Sequence, residues 1–162
     1  MYRVAVVCLG NICRSPIADV VVNALLDEAG LRDDVEVTSA GTGTWHVGEP
    51  MDARAAAVLT RSGYDASTHR ARHFDEDWHD HDLILVMDHA NLADVLAELP
   101  PDRHDRVRLF RSFDPEVAVD VGPADVPGVP DPYYGGPDGF DEVLAIVERT
   151  AHRLVAELGL VR

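Results

Sequence analysis

Cys8-Leu9-Gly10-Asn11-Ile12-Cys13-Arg14-Ser15-Pro16 is the stretch on which the reading of this chain turns. Ahead of it, residues 2–8 form a short β-branched run, consistent with a strand buried on both faces. Behind it, Ile17, Val20, Val21, Ala24 and Leu25 recur at helical spacing through residues 16–29. Ser15 suits the N-cap, Pro16 the first helical position and Gly30 the stop. A strand that turns directly into a helix gathers backbone N–H groups around one point, where the helix also presents its positive end. A phosphate held there would be cradled by successive amides while the planar fork of Arg14 grips two of its oxygens. The same field favours a thiolate, because cysteines at helix N-termini beside arginine have pKa values well below the reference of about 8.5. Cys8 therefore reads as an ionised nucleophile aimed at phosphorus. A cysteine at a strand end is otherwise a small core residue. The placement between a strand and a proline-started helix favours the nucleophile.

Outward from this junction, strand and helix alternate. Residues 35–40 read as a second strand, 41–50 as a Gly-rich loop and 52–62 as an Ala-rich helix closed by Gly63. Residues 69–82 are polar and read as loop with short helical turns. Leu83-Ile84-Leu85-Val86-Met87 is a buried-strand run, 89–99 a helix stopped by Pro100-Pro101, and 107–110 a weaker fourth strand. Residues 112–138, rich in Pro, Gly and Asp, make a long loop before a closing helix at about 140–158. A loop that long inside a compact domain is functional unless it is misassigned, and its aspartates favour function. Alternation with long crossovers implies one α/β domain over residues 1–162, a parallel sheet flanked by helices with the active face at the carboxyl ends of the strands.

Composition removes whole classes of function. With 162 residues and 46 % hydrophobic content the chain can build a core without staples. The net charge is −15, every cation is an arginine, and no basic run occurs, which argues against nucleic acid and anionic membrane as partners. No apolar run approaches the roughly 18 residues of a membrane span. The N-terminal residues lead straight into structure without a signal-peptide pattern, so the expected compartment is the cytoplasm. Two cysteines cannot form a disulfide framework or a thiolate-rich zinc site, so Cys8 and Cys13 point to chemistry. Lysine absence beside abundant Ala, Arg, Asp and Val suggests a GC-rich bacterial coding sequence.

The run from Val7 through Ala18 resembles the low-molecular-weight protein tyrosine phosphatases. The resemblance continues through Thr38-Ser39-Ala40-Gly41, His69-Arg70-Ala71-Arg72, Met87-Asp88 with Asn91-Leu92, and Asp131-Pro132-Tyr133-Tyr134-Gly135. It implies a three-layer, flavodoxin-like fold with a four-stranded parallel sheet and helices on both faces. It also implies hydrolysis of phosphotyrosine and aryl phosphates through a cysteinyl-phosphate. The substrates would be phosphotyrosine-containing proteins and the enzyme a monomer. No metal or organic cofactor is implied, since thiolate, arginine, amides and an acid suffice.

Site roles divide between chemistry and resemblance. Breaking an aryl phosphate calls for a proton on the departing phenolate, and a positioned carboxylic acid is the usual donor. The long loop offers Asp114, Asp120, Asp125 and Asp131, and Asp114 as well as Asp131 precedes a proline, so residue type alone leaves the choice open. The match to the family's Asp-Pro-Tyr-Tyr loop selects Asp131. By the same resemblance Leu9, Gly10, Asn11, Ile12, Cys13 and Ser15 complete the phosphate loop, and Trp45, Tyr133 and Tyr134 wall the substrate cleft. Aromatic walls and depth would favour phosphotyrosine over shorter phosphoserine. Ser15 could both cap the helix and hydrogen-bond the departing Cys8 sulfur. Asn11 tolerates left-handed backbone. Its side chain would be held by Ser15, Ser39 and His69, which makes His69 structural. The resemblance further implies that Cys13 can form a disulfide with oxidised Cys8. His46, His73, His79, His81, His89, His104 and His152 read as surface residues, and His79-Asp80-His81-Asp82 as no metal site, for want of a third element.

Three alternatives share parts of this pattern. Thioredoxin-coupled arsenate reductases need further cysteines beyond the loop, and none follows Cys13. Protein arginine phosphatases typically carry Thr at the position of Ile12, whose apolar side chain suits an aryl group. A catalytically dead phosphotyrosine-binding module should have lost Cys8, Arg14 or the acid, and all three are present.

Overall fold

The computed structural model describes residues 1–136 and 138–161. Strand β1 (Tyr2–Cys8) has Val4, Ala5, Val6 and Val7 wholly buried, as a strand covered on both faces demands. Helix α1 (Arg14–Glu28) follows, then β2 (Val35–Gly41), α2 (Ala53–Arg61), β3 (Leu83–Val86), α3 (His89–Glu98), β4 (Val107–Leu109) and α4 (Asp138–Val161). The four strands form one sheet in the order β2-β1-β3-β4, and every pairing is parallel. The chain therefore steps from β1 to one side and then crosses to the other. That reversal opens a crevice beyond the carboxyl end of β1, where Cys8 sits.

The pleat of β1 sorts the core into two layers. Val4 and Val6 pack with α1, α2 and α4 through Ile17, Val21, Leu26, Leu59, Val147 and Leu154. Ala5 and Val7 face the opposite layer, which contains Val95 of α3 together with Phe74 and Trp78. The expected three-layer α/β domain is what the chain forms. Residues 69–82 hold one 3₁₀ turn, Glu76–Trp78, and Phe74 and Trp78 seal the face that a single helix leaves uncovered. The polar reading of that segment missed these two anchors. His81 is also 7 % exposed and stacks on Trp78 with ring centroids 5.2 Å apart, so it is no surface residue. Among the described residues no helix is long and apolar enough to cross a membrane.

Boundaries moved most around α1 and α4. Helix α1 begins at Arg14 with Cys13 as N-cap, and no side chain caps it. Ser15 lies inside the first turn, where its hydroxyl is drawn to the Cys8 sulfur instead of the helix amides. Pro16 is in the same turn, at a position whose N–H has no helical partner. The C-terminal end is as read: Gly30 adopts φ +70°, and Leu31 N–H reaches back to the Leu26 carbonyl at 2.9 Å. Helix α4 is longer than the periodicity suggested, and residues 112–138 include the 3₁₀ turn Pro123–Asp125.

Strands β1 and β2 pair from Tyr2↔Val35 to Cys8↔Gly41, so they end side by side. A Cβ on Gly41 would stand 2.7 Å from the Leu9 carbonyl oxygen and 3.0 Å from the Asn11 nitrogen. Only glycine lets β2 support the loop after Cys8 this closely.

Leu26 of α1 is fully buried between sheet and helices. Leu26→Ala should lower the unfolding free energy by about 2–5 kcal/mol. Urea denaturation measures it, and a loss below about 1 kcal/mol would contradict the packing described.

Candidate active site

The loop that leaves β1 curls because Asn11 is left-handed, with φ +56°, the only non-glycine residue of positive φ among those described. Its side chain is tied on both ends. Asn11 Nδ2 donates to Ser15 Oγ at 2.8 Å and to Ser39 Oγ at 3.1 Å, and Asn11 Oδ1 accepts from the Arg72 amide at 2.9 Å. Ser39 Oγ in turn donates to Asp19 Oδ2 at 2.8 Å. The expectation for His69 needs correcting: its Nε2–H donates to the Asn11 backbone carbonyl at 2.7 Å, not to the side chain. The side-chain oxygen was already taken by Arg72. Burial pushes the His69 pKa below the ordinary histidine value and outweighs the carbonyl and Asp19, which act the other way. A neutral imidazole pinned to backbone holds shape.

Cys8 is 3 % exposed, yet its sulfur is not enclosed by aliphatic groups alone. Sγ lies 2.9 Å from Ser15 Oγ and accepts from the Asn11 amide at 3.3 Å. It forms the floor of a cleft of about 430 Å³ lined by Leu9, Gly10, Ile12, Cys13, Arg14, Trp45, His46, Asp131, Tyr133 and Tyr134. The first turn of α1 begins at this floor. The Asn11 amide, the Ser15 hydroxyl and the positive end of α1 thus meet at the sulfur.

Arg14 enters the cleft from a buried position. Its Nη1 donates to Asp88 Oδ2 at 2.7 Å and to the Val129 carbonyl at 3.1 Å, which fixes the plane of the fork. Asp88 uses its other oxygen to accept from the Asn91 amide at 2.8 Å as the N-cap of α3. One carboxylate therefore both starts α3 and aims Arg14. Sequence reasoning noted Met87-Asp88 without giving Asp88 a role. An acid directly after a buried strand and three residues before Asn91 was the available signal. Burial works against the Arg14 charge, but Cys8 and Asp88 more than offset it, and its pKa lies above the usual arginine value.

The four candidate acids separate by position. Asp131 Oδ2 is 3.6 Å from Arg14 Nη2, and Oδ1 accepts from the Tyr133 amide at 3.1 Å, so this carboxylate stands at the mouth. Asp114 is fully buried and bonded to Arg149 at 2.9 and 3.1 Å and to Arg111 at 2.9 Å. It ties the segment after β4 to α4. Asp120 and Asp125 are exposed and do not line the cleft.

The walls are aromatic. Trp45 is 71 % exposed, and its ring lies on Gly43, where a Cβ would overlap the indole at 1.9 Å. Tyr133 and Tyr134 meet edge to face with centroids 4.9 Å apart. His46 also lines the cleft, paired with Glu49, a placement its reading as a surface residue missed. Cys13 lies beside the floor. Burial first, then the charges of Asp52 and Cys8, push its thiol up to about 12, so it is protonated at neutral pH.

Fold and site together define a parallel α/β domain with a cysteine, an arginine and a carboxylate gathered in one cleft at the end of the first strand. The model of the family "Low molecular weight phosphotyrosine protein phosphatase" matches residues 3–160. A Streptomyces coelicolor low molecular weight protein-tyrosine-phosphatase is 49 % identical over 158 residues, covering 96 % of this chain and 92 % of that protein. The Mycobacterium tuberculosis low molecular weight protein-tyrosine phosphatase A is 44 % identical, covering 90 % and 85 %. The crystal structure of an Entamoeba histolytica protein tyrosine phosphatase superposes with a TM-score of 0.89 at 30 % identity, covering 99 % and 98 %. The chain belongs to the low molecular weight phosphotyrosine protein phosphatase family, and it is a hydrolase of that family.

Asp114 yields a stability prediction. Burial acts to raise its pKa, but the bonds from Arg149, the Glu116 amide and Arg111 prevail and hold it below the ordinary carboxylate value. A depressed folded-state pKa adds stability above the unfolded value of about 3.9, and the gain disappears as pH falls through the folded value. Asp114→Asn should cost about 1–3 kcal/mol at pH 7, because Arg111 loses its carboxylate partner while Arg149 keeps Glu116 at 2.7 Å. In acid the two proteins should converge. Urea titrations at several pH values test this, and a pH-independent difference would refute it.

Proposed function

We propose that the protein hydrolyses phosphotyrosine in proteins, and aryl phosphates generally, through a cysteinyl-phosphate. The observation that carries this reading is the convergence on one cleft of the Cys8 sulfur, the anchored Arg14 fork and the Asp131 carboxyl, walled by Trp45, Tyr133 and Tyr134.

In this reading the loop amides and Arg14 bind the three non-bridging phosphoryl oxygens. Their donors lie where charge develops in the transition state. Cys8 Sγ attacks phosphorus in line with the ester bond. As that P–O bond breaks, the Asp131 carboxyl gives its proton to the departing phenolate oxygen. A water molecule then attacks the phosphoenzyme and passes a proton to the Asp131 carboxylate. The S–P bond breaks, Ser15 Oγ–H donates to the departing sulfur from 2.9 Å, and inorganic phosphate leaves. Asp88 and Asn11 act through Arg14 and the loop, respectively. Ile12, 8 % exposed and apolar, offers an arginine side chain no hydrogen bond in the wall, which favours the aryl substrate over phosphoarginine.

Cys8→Ser should abolish turnover of a phosphotyrosine peptide, and Asp131→Asn should lower kcat by about 10²–10⁴-fold. Faster hydrolysis of a phosphoarginine peptide by the wild type, or activity surviving Cys8→Ser, would overturn the assignment.

In the same reading Cys13, which lines the cleft with Cys8, captures Cys8 after peroxide oxidises it to the sulfenic acid: the two sulfurs bond and water leaves. Attack requires the Cys13 thiolate, and burial holds that thiol well above the ordinary cysteine value. Bridge closure should therefore accelerate about tenfold per pH unit around neutrality. Alkylation-trap mass spectrometry on wild type and Cys13→Ser measures it, and a pH-independent rate would count against Cys13.

A further inference from the structure

We propose that Arg54 is a positioning residue for Asp131, acting through Tyr133; the inference rests on Asp131 being the proton donor. Arg54 is in the first turn of α2, and Asp52, the N-cap of that helix, holds one edge of its fork with both carboxylate oxygens. Asp52 Oδ1 accepts from the Arg54 amide at 2.8 Å and from Nε at 3.1 Å, while Oδ2 accepts from Nη2 at 2.9 Å. A guanidinium gripped this way has a fixed plane. Its central carbon lies 4.7 Å from the ring centre of Phe140, a 2 %-exposed residue in the first turn of α4, and 5.5 Å from the ring centre of Tyr133. Arg54 thus bridges α2, α4 and the loop that carries the acid.

That bridge adds to the 3.6 Å approach of Asp131 Oδ2 to Arg14 Nη2, the other charged contact described for this loop. The hydrogen bonds described for residues 131–136 stay local: Tyr133 N–H to Asp131 Oδ1, Gly135 N–H to the Pro132 carbonyl, and Gly139 N–H to the Gly136 carbonyl. The first of these links ring to carboxyl. With Tyr133 held by Arg54, its amide occupies Asp131 Oδ1 and leaves Oδ2, the oxygen 3.6 Å from Arg14 Nη2, for the proton it delivers. Asp52 pairs with the Arg54 guanidinium at 2.9 Å, so the contact with Tyr133 is that of a counterbalanced cation lying over a ring. A misplaced donor costs most where the leaving group needs a proton most.

The test is leaving-group dependence. Values of kcat/KM for a series of aryl phosphates, from p-nitrophenyl to phenyl, report the transfer to Cys8. Arg54→Met should lower kcat/KM for phenyl phosphate by about 10–100-fold and for p-nitrophenyl phosphate by less than about threefold, within the range of general-acid effects. Arg54→Lys, which keeps charge without the fork, should show the same steepened slope. In an Asp131→Asn background the Arg54 change should have no further effect. A uniform loss across the series, or a loss persisting beside Asp131→Asn, overturns the positioning role. A wild-type slope in Asp131→Asn alone overturns the donor assignment and this proposal with it. A steep slope in Asp131→Asn beside a flat one in Arg54→Met overturns only the positioning. The urea midpoint, expected to stay within error of wild type for Arg54→Met, separates either result from unfolding.

Discussion

The left-handed turn at Asn11 is the constraint on which the site depends. A loop that wraps an anion must point its amides inward, and that requires backbone geometry most residues resist. The strain is offset by a buried network that satisfies both ends of the Asn11 amide and its carbonyl, with Ser15, Ser39, and the His69 and Arg72 of one segment drawn from three parts of the chain. Each partner rests on another element: Ser39 on β2 and Asp19, Arg72 on the segment bridged to Gly41. The curl of the loop is therefore a property of the whole fold, although its residues are nearly contiguous.

Arg14 shows the same logic in charge. A buried guanidinium is costly unless its hydrogen bonds and its countercharge are both supplied. Asp88 and the Val129 carbonyl supply them on one side, and the Cys8 sulfur with Asp131 faces the other. Because Asp88 is also the cap of α3, helix registration and fork orientation are coupled. Gly128 completes the fit, since a Cβ there would meet Asp88 Cβ at 2.9 Å.

How much was legible in the sequence follows from how local each signal is. The β1–α1 junction could be read because strand, loop and helix start lie within a few residues of one another. Cys8, Arg14 and Asp131 share the cleft as expected, though Asp131 was chosen by resemblance. What separates it from Asp114 physically is the Arg111–Asp114–Arg149 cluster, which depends on α4 folding back over residues 110–114. The hydrogen bond from His69 to backbone and the claim of Arg72 on Asn11 were equally hidden, as such contacts join residues about sixty positions apart. Ser15 misled because serine before proline fits a cap in isolation, and only the sulfur 2.9 Å away decides otherwise.

The two tryptophans occupy opposite environments. Trp78 is packed into the second core layer, whereas Trp45 lies flat on Gly43 at the lip of the cleft and faces water. Indole emission responds to the polarity around the ring and to collisional quenchers that reach it. The molecule thus carries its own optical reporter: a quencher in solution reads Trp45 with Trp78 as internal reference, and anything occupying the cleft shields that signal without an attached dye.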